Sequence, residues 1–504
     1  MKRKFLLLVV LLFAGVFLAA CANVTKQADF EVLSIDDIKD IEGGTTIKFK
    51  IRSGIINTAL DDLIAEFEEE YPYITVERDA ISGGYDDIRS TTILDINSKN
   101  YDNIPDLLIG YPDHFAEYYG GSNLIDLQFF IDDPEVGYTA EEMDDFIPGY
   151  LPENKGFDEN FPERLYGLPF NKSTEVLVYN KTAFEALFGP TYLNKIPTTW
   201  DELRTVGLEI RTKVLAGELD EVWAEEVDPE TGDIVKYLKV SDYLKDPNNI
   251  RFLPFGYDSS ANGFITLTRQ FNGKYTSRDS VMKGYVMFDN PESIAAMTYF
   301  QNMKNEGVFG NAAVFGEQYN SEAMKLIQVL ISVGSSAGVG YNGSTEYDYE
   351  LGVVPIPYHS EDAKYVIQQG TNLGMLSHHS DERKLATWLF IKFLLEPVNT
   401  AKFAMATGGY LPVRRSAYDT EEYKAYLESP SLDKVDHSAA ANVALNDYIE
   451  KGFIFFVDDA FIGSSKVREE AGRIFDAIIV NGEDVKKRYE DAYKSLSQFD
   501  PKNK

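Results

Sequence analysis

Between residues 45 and 77 the chain has little choice of fold. Ile47, Phe49 and Ile51 alternate with polar residues as in a half-buried strand, and Arg52-Ser53-Gly54 closes that run. Leu60, Leu63, Ile64 and Phe67 then fall on one helical face, with Thr58 and Asp61 at capping-box spacing and Tyr71-Pro72 as the stop. A second apolar run at 74–77 completes a strand, a helix and a strand. Two strands joined this way must lie parallel, with a right-handed crossover. The pattern continues through a helical stretch near 88–96 and a strand at 106–109, so the fold class expected is α/β.

Composition narrows the function. The formal net charge is −33, from 48 basic and 81 acidic side chains. Nucleic-acid binding requires Lys and Arg to neutralise phosphates, so no nucleic-acid partner is expected. The 504 residues contain a single cysteine, Cys21, which rules out a disulfide framework and a thiolate zinc site. Neither a metal nor a cofactor is expected. Lys2, Arg3 and Lys4 precede an apolar run from 5 to 20 that ends Leu18-Ala19-Ala20-Cys21. That order reads as a secretory signal over 1–20, and Cys21 after small residues resembles a lipidation site. The run is shorter than the roughly 20 residues that span a bilayer. Residues 21–44 are then expected to form a flexible tether, which places the chain on the extracellular face of the membrane.

The stretch from Tyr166 to Asn180 stops at Gly167 and Pro169, shows Asn171-Lys172-Ser173-Thr174, and re-enters a core at Val176. It is followed by Pro197-Thr198-Thr199-Trp200-Asp201-Glu202-Leu203, where Thr199 and Glu202 have capping-box spacing. Leu124-Ile125-Asp126-Leu127, Gly370-Thr371-Asn372-Leu373-Gly374 and Gly408-Gly409-Tyr410-Leu411-Pro412 occur in the order expected of further blocks. Together these resemble the extracellular solute-binding proteins of bacterial ABC importers, in the sugar and glycerol 3-phosphate group, over residues 45–500. The resemblance implies a two-lobed periplasmic-binding-protein-like fold of type II, each lobe a β-sheet flanked by helices, with the hinge crossed three times. It divides the chain into an N-terminal lobe of 45–165 and 353–409 and a C-terminal lobe of 166–352 and 410–504. Residues 132–165 read as a long loop and 219–250 as an inserted surface hairpin.

In open α/β sheets ligands sit beyond the carboxyl ends of strands, and two facing lobes make a cleft that can close. The candidate ligand-binding residues are therefore Tyr85, Tyr111, Asp113, Ser173, Thr174, Phe264, Ser335, Gly370, Asn372, Tyr410 and Arg468, with Arg52 and Ser53 after the first strand. Within the family, the glycerol 3-phosphate-binding members imply Tyr85, Ser173, Ser335, Gly370 and Arg468 as contacts, with Arg468 as a bidentate anion ligand. This sequence departs from them in having Ala261 and Phe264 where they carry two tryptophans. A sugar site would instead set tyrosines and Phe264 against ring carbons, and Asp113, Asp258 and Asn262 on hydroxyls. A carbohydrate ligand leads, with glycerol 3-phosphate or a glycerophosphodiester as the alternative. The expected partners are ABC permease subunits, and the chain is expected to be a monomer. A surface-anchored carbohydrate-active enzyme is the remote alternative. No Gly-x-Ser-x-Gly elbow occurs, and acidic pairs such as Asp458-Asp459 read as solvated faces, so no catalysis is expected.

Overall fold

The computed structural model describes residues 32–54, 56–245, 251–428 and 437–503. The signal expected over 1–20 and Cys21 lie outside the described residues.

The opening strand-helix-strand unit forms as its pattern requires. Strand Thr45–Arg52 pairs in parallel with Ile74–Ile81, and helix Ile56–Glu70 crosses between them with Leu60, Leu63, Ile64 and Phe67 buried. The helix begins ahead of Thr58, so the Thr58/Asp61 spacing lies inside it and caps nothing. Capping is realised at Thr199, whose hydroxyl accepts the Glu202 N–H at 3.2 Å, and at Asn290, whose side chain accepts the Ser293 N–H at 2.9 Å ahead of Pro291.

The strands follow the order Phe309–Asn311, Phe255–Tyr257, Ile331–Ser335, Leu168–Asn180, Tyr365–Met375, Leu107–Gly110, Thr45–Arg52, Ile74–Ile81. At the centre lies Leu168–Asn180, whose 13 residues are all buried. A strand covered on both faces needs no alternation of apolar and polar residues, which is why its polar platform could sit inside it. It pairs antiparallel with Ile331–Ser335 towards one end and with Tyr365–Met375 towards the other.

Two hydrophobic cores result. One gathers residues from Ile38 to Phe170 with Leu373 to Val413, and the other runs from Val176 to Ile367 with Ala440 to Phe499. The changeover lies within the two long strands, between Phe170 and Val176 and between Ile367 and Leu373. Val281, at the tip of the hairpin Thr276–Ser280/Lys283–Val286, reaches across into the first core.

Two expected loops differ from their reading. The tether is already folded before residue 44, since Ile35–Lys39 is helical with Ile38 buried in the first core. The segment 132–165 is packed rather than loose. Val136, Phe146, Tyr150, Phe157 and Leu165 enter the first core, and Glu153 pairs with the buried Lys172. Its acidic and Pro-rich composition hid apolar residues too irregularly spaced to show a period. The strands Ala224–Val227 and Ile234–Tyr237 form an exposed hairpin, as the turn at Asp228-Pro229-Glu230-Thr231-Gly232-Asp233 suggested.

Candidate functional site

Where the two cores meet, a cavity of about 400 Å³ opens. From the first core come Arg52, which ends strand Thr45–Arg52, Ser53 directly after it, Tyr85 at the start of helix Tyr85–Ser98, and Tyr111 ahead of helix Pro112–Gly120. The second core contributes Asp258, Tyr319, Ser321, Ser332, Ser335 and Tyr341, while Ser173, Gln369, Gly370 and Tyr410 stand on the crossings. The walls are therefore mainly hydroxyls and tyrosine rings. Tyr85 and Tyr111 meet edge to face at 5.3 Å between centroids, and the hydroxyls of Tyr85 and Tyr410 lie 3.1 Å apart. The Ser335 hydroxyl donates to Ser173 at 3.3 Å.

Contacts bridge the cavity from core to core. Arg52 Nη2 donates to the Tyr319 hydroxyl at 3.2 Å, while Arg52 Nε holds the Gly83 carbonyl at 3.1 Å. Beside the cavity, Arg89 pairs with Glu117 of its own core and Glu469 of the other, each at 3.0 Å. Ser465 donates to Glu117 at 2.8 Å. Arg52 has no carboxylate partner among the described residues.

Asp258 borders the cavity and has no cation partner among the described residues. Its Oδ1 accepts the Asn320 N–H at 2.6 Å, and burial pushes its carboxyl up to about 6. Glu322 also borders the cavity but is paired with Lys325 at 2.8 Å.

A smaller compartment of about 60 Å³ adjoins the cavity and shares Tyr111, Gln369 and Gly370 with it. Asp113 and Arg468 border this compartment rather than the larger cavity. Arg468 Nη1 holds Asp458 Oδ2 at 2.8 Å, and Nη2 donates to Asn262 Oδ1. Both prongs of the guanidinium are thus engaged by the protein itself.

The remaining candidates sit elsewhere. Phe264 is fully buried in the second core against Phe288 at 5.4 Å and Tyr489 at 5.8 Å. Asn372 is buried and accepts the Asn154 side-chain N–H at 2.8 Å. Thr174 turns its hydroxyl to the Ile367 carbonyl at 2.9 Å. Ala261 packs on Gly472 of helix Ser464–Ile479. The asparagine and threonine belong to the hydrogen-bonding of the crossing, which sequence cannot separate from exposure to the cleft. Tyr319, Tyr341 and Tyr275 were missed because nothing local distinguishes them among 31 tyrosines.

Behind the Ser173–Ser335 wall lies Glu175, fully buried, accepting from the Tyr257 hydroxyl at 2.7 Å and the Thr266 hydroxyl at 3.0 Å. Burial pushes its carboxyl from 4.5 up to about 7, against the pull of those two donors. The folded protein therefore keeps a proton that the unfolded chain releases at lower pH. Its stabilising contribution is complete below the unfolded value and is lost as pH rises to about 7. Urea unfolding should show wild type losing up to about 3 kcal/mol over that window relative to Glu175→Gln. Parallel pH profiles for the two proteins would refute this.

The sequence pattern of bacterial extracellular solute-binding proteins matches residues 62–430. The sn-glycerol-3-phosphate-binding periplasmic protein UgpB of Escherichia coli K12 is 26% identical over 315 residues, covering 59% of this chain and 60% of that relative's length. Among solved structures, UgpB of Mycobacterium tuberculosis with glycerophosphocholine superposes with a TM-score of 0.67 at 21% identity, over 90% of this chain and 98% of that one. Maltose-bound MalE3 of T. maritima superposes with a TM-score of 0.66 at 18% identity, over 90% and 99%. The architecture they share with this chain is the two-lobed α/β fold.

Proposed function

The chain belongs to the bacterial extracellular solute-binding protein family, and from that premise we propose that it captures a carbohydrate outside the cell and presents it to the permease of an ABC importer. It acts by binding, not by turnover. The observation that carries the carbohydrate reading is the composition of the 400 Å³ cavity: tyrosine rings, serine hydroxyls and the Asp258 carboxylate, which has no cation partner among the described residues. Rings cover the apolar faces of a sugar, hydroxyls exchange hydrogen bonds with its hydroxyls, and a carboxylate accepts from them with charge-assisted strength. The volume lies within the range of about 300–1,000 Å³ usual for small-ligand pockets.

We place the hinge at the changeover between cores in the two long strands and at Gly408-Gly409. Ligand contacts from both lobes would favour the closed arrangement that Arg52 and Tyr319 bridge. Lipid on Cys21, in Leu18-Ala19-Ala20-Cys21, would hold the protein at the outer face of the membrane. A glycerophosphodiester is the second reading, supported by the similarity to UgpB and by Arg52, which borders the cavity without a carboxylate partner among the described residues.

Thermal unfolding against maltose, longer oligosaccharides, glycerol 3-phosphate and glycerophosphocholine tests the choice. A ligand at 100 times its Kd stabilises by about 2.7 kcal/mol, which moves the midpoint by a few degrees. A carbohydrate is expected to give that shift, and Asp258→Asn to weaken its binding by about 10-fold or more. Stabilisation by glycerophosphocholine alone, indifferent to Asp258→Asn, would replace the carbohydrate reading with the second one.

A further inference from the structure

The compartment of about 60 Å³ lies against the ligand cavity, with Tyr111, Gln369 and Gly370 bordering both. About 10–15 Å³ of such space holds one water, so the compartment has room for a substituent of a few heavy atoms. Its charge is unbalanced. Of its lining residues Asp113, Asp458 and Asp459 are acidic against one cation, Arg468, with Arg269 and Arg278 acting on Asp459 from outside the lining, and Glu153 is already neutralised by Lys172.

A second feature points to an occupant. The Tyr275 side chain borders the compartment, is only 8% exposed, and its hydroxyl has no hydrogen-bond partner among the described residues. Asp458, Arg468 and Asp113 are the charges that act on that hydroxyl. A buried hydroxyl left unpaired is unfavourable, and a ligand group bonding there would relieve that cost.

We propose that this compartment is a second subsite of the cleft, receiving a neutral or cationic donor at the tip of the ligand, a hydroxyl or an amine, and rejecting anionic groups. The inference rests on the solute-binding function above and holds for a sugar hydroxymethyl group or the glycerol end of a phosphodiester alike. Asp113 and Asp459 accept from the tip, and Tyr275 donates to it or accepts from it. Arg468, engaged by Asp458 and Asn262, holds Asp458 in place and does not clamp phosphate.

Inorganic phosphate, compared with chloride at matched ionic strength, is the probe, read as the thermal midpoint of the whole chain. Wild type is expected to show no saturable phosphate shift that depends on Arg468. Asp113→Asn/Asp458→Asn removes the carboxylate charges facing the guanidinium and should gain a saturable shift of a few degrees, abolished by adding Arg468→Ala. A saturable shift in wild type that Arg468→Ala removes would overturn the proposal, and that comparison stands even if the double variant does not fold. A folded double variant blind to phosphate would overturn it too. A panel in which only a glycerophosphodiester binds would replace the carbohydrate reading and leave this result untouched.

Discussion

Glu153→Gln is expected to destabilise the protein by about 3–5 kcal/mol in urea unfolding, although residue 153 lies in a segment without long secondary structure. Its carboxylate faces the Lys172 ammonium, whose side chain is fully buried, and also accepts from the Gln368 amide at 2.9 Å. Lys172 donates in addition to the Gly370 carbonyl at 3.2 Å. Burial holds the lysine below its usual range, and the carboxylate opposes that effect. Without Glu153 the ammonium is either buried uncompensated or must lose its proton, and either outcome weakens the fold. Adding Lys172→Met should recover much of the loss, because a buried pair is replaced by apolar volume more cheaply than it is broken. A loss under about 1 kcal/mol for Glu153→Gln, or strict additivity in the double variant, would show that the pair does not stabilise the crossing.

Gly370→Ala should cost about 3 kcal/mol or more and abolish ligand binding. Gly370 has φ +92°, which a side chain adopts only under strain. An added Cβ would meet the Asn171 carbonyl oxygen and lie 2.5 Å from the Lys172 Cα. Both obstacles are backbone of the neighbouring crossing strand and cannot rotate away, so the strands must separate where the register already shifts between Gly370 and Asn372. Gly43→Ala makes the control. It also has positive φ but no neighbour within 4 Å, and should cost only about 1 kcal/mol. Equal costs at the two positions would show that the close approach of the strands is unimportant.

The parts of this molecule legible in the sequence are those specified by local chemistry. Ile47, Phe49 and Ile51 with the helix behind them could only make a parallel unit, and Thr199 marked a helix start through its own side chain. The crossing at Asn171–Thr174 was legible as a polar interruption between apolar runs. Its individual roles were not. Ser173 faces the cavity while Thr174 bonds across to Ile367, and adjacent residues in a strand point to opposite sides.

Arg468 shows the remaining limit. Its sequence position suited an anion ligand, but whether a guanidinium is available depends on what stands in front of it. Asp458, ten residues earlier, and Asn262, on another helix, engage it. Of Asp458-Asp459, which read as a solvated face, Asp459 is exposed as expected, while Asp458 is partly buried against Arg468 at the smaller compartment. Periodicity and turn chemistry by themselves determined the α/β units and the places where the chain crosses, because those are properties of neighbours in sequence. Which charges are paired and which tyrosines line the cavity were decided by tertiary structure alone, because desolvation and hydrogen bonding act between residues that only the fold brings together.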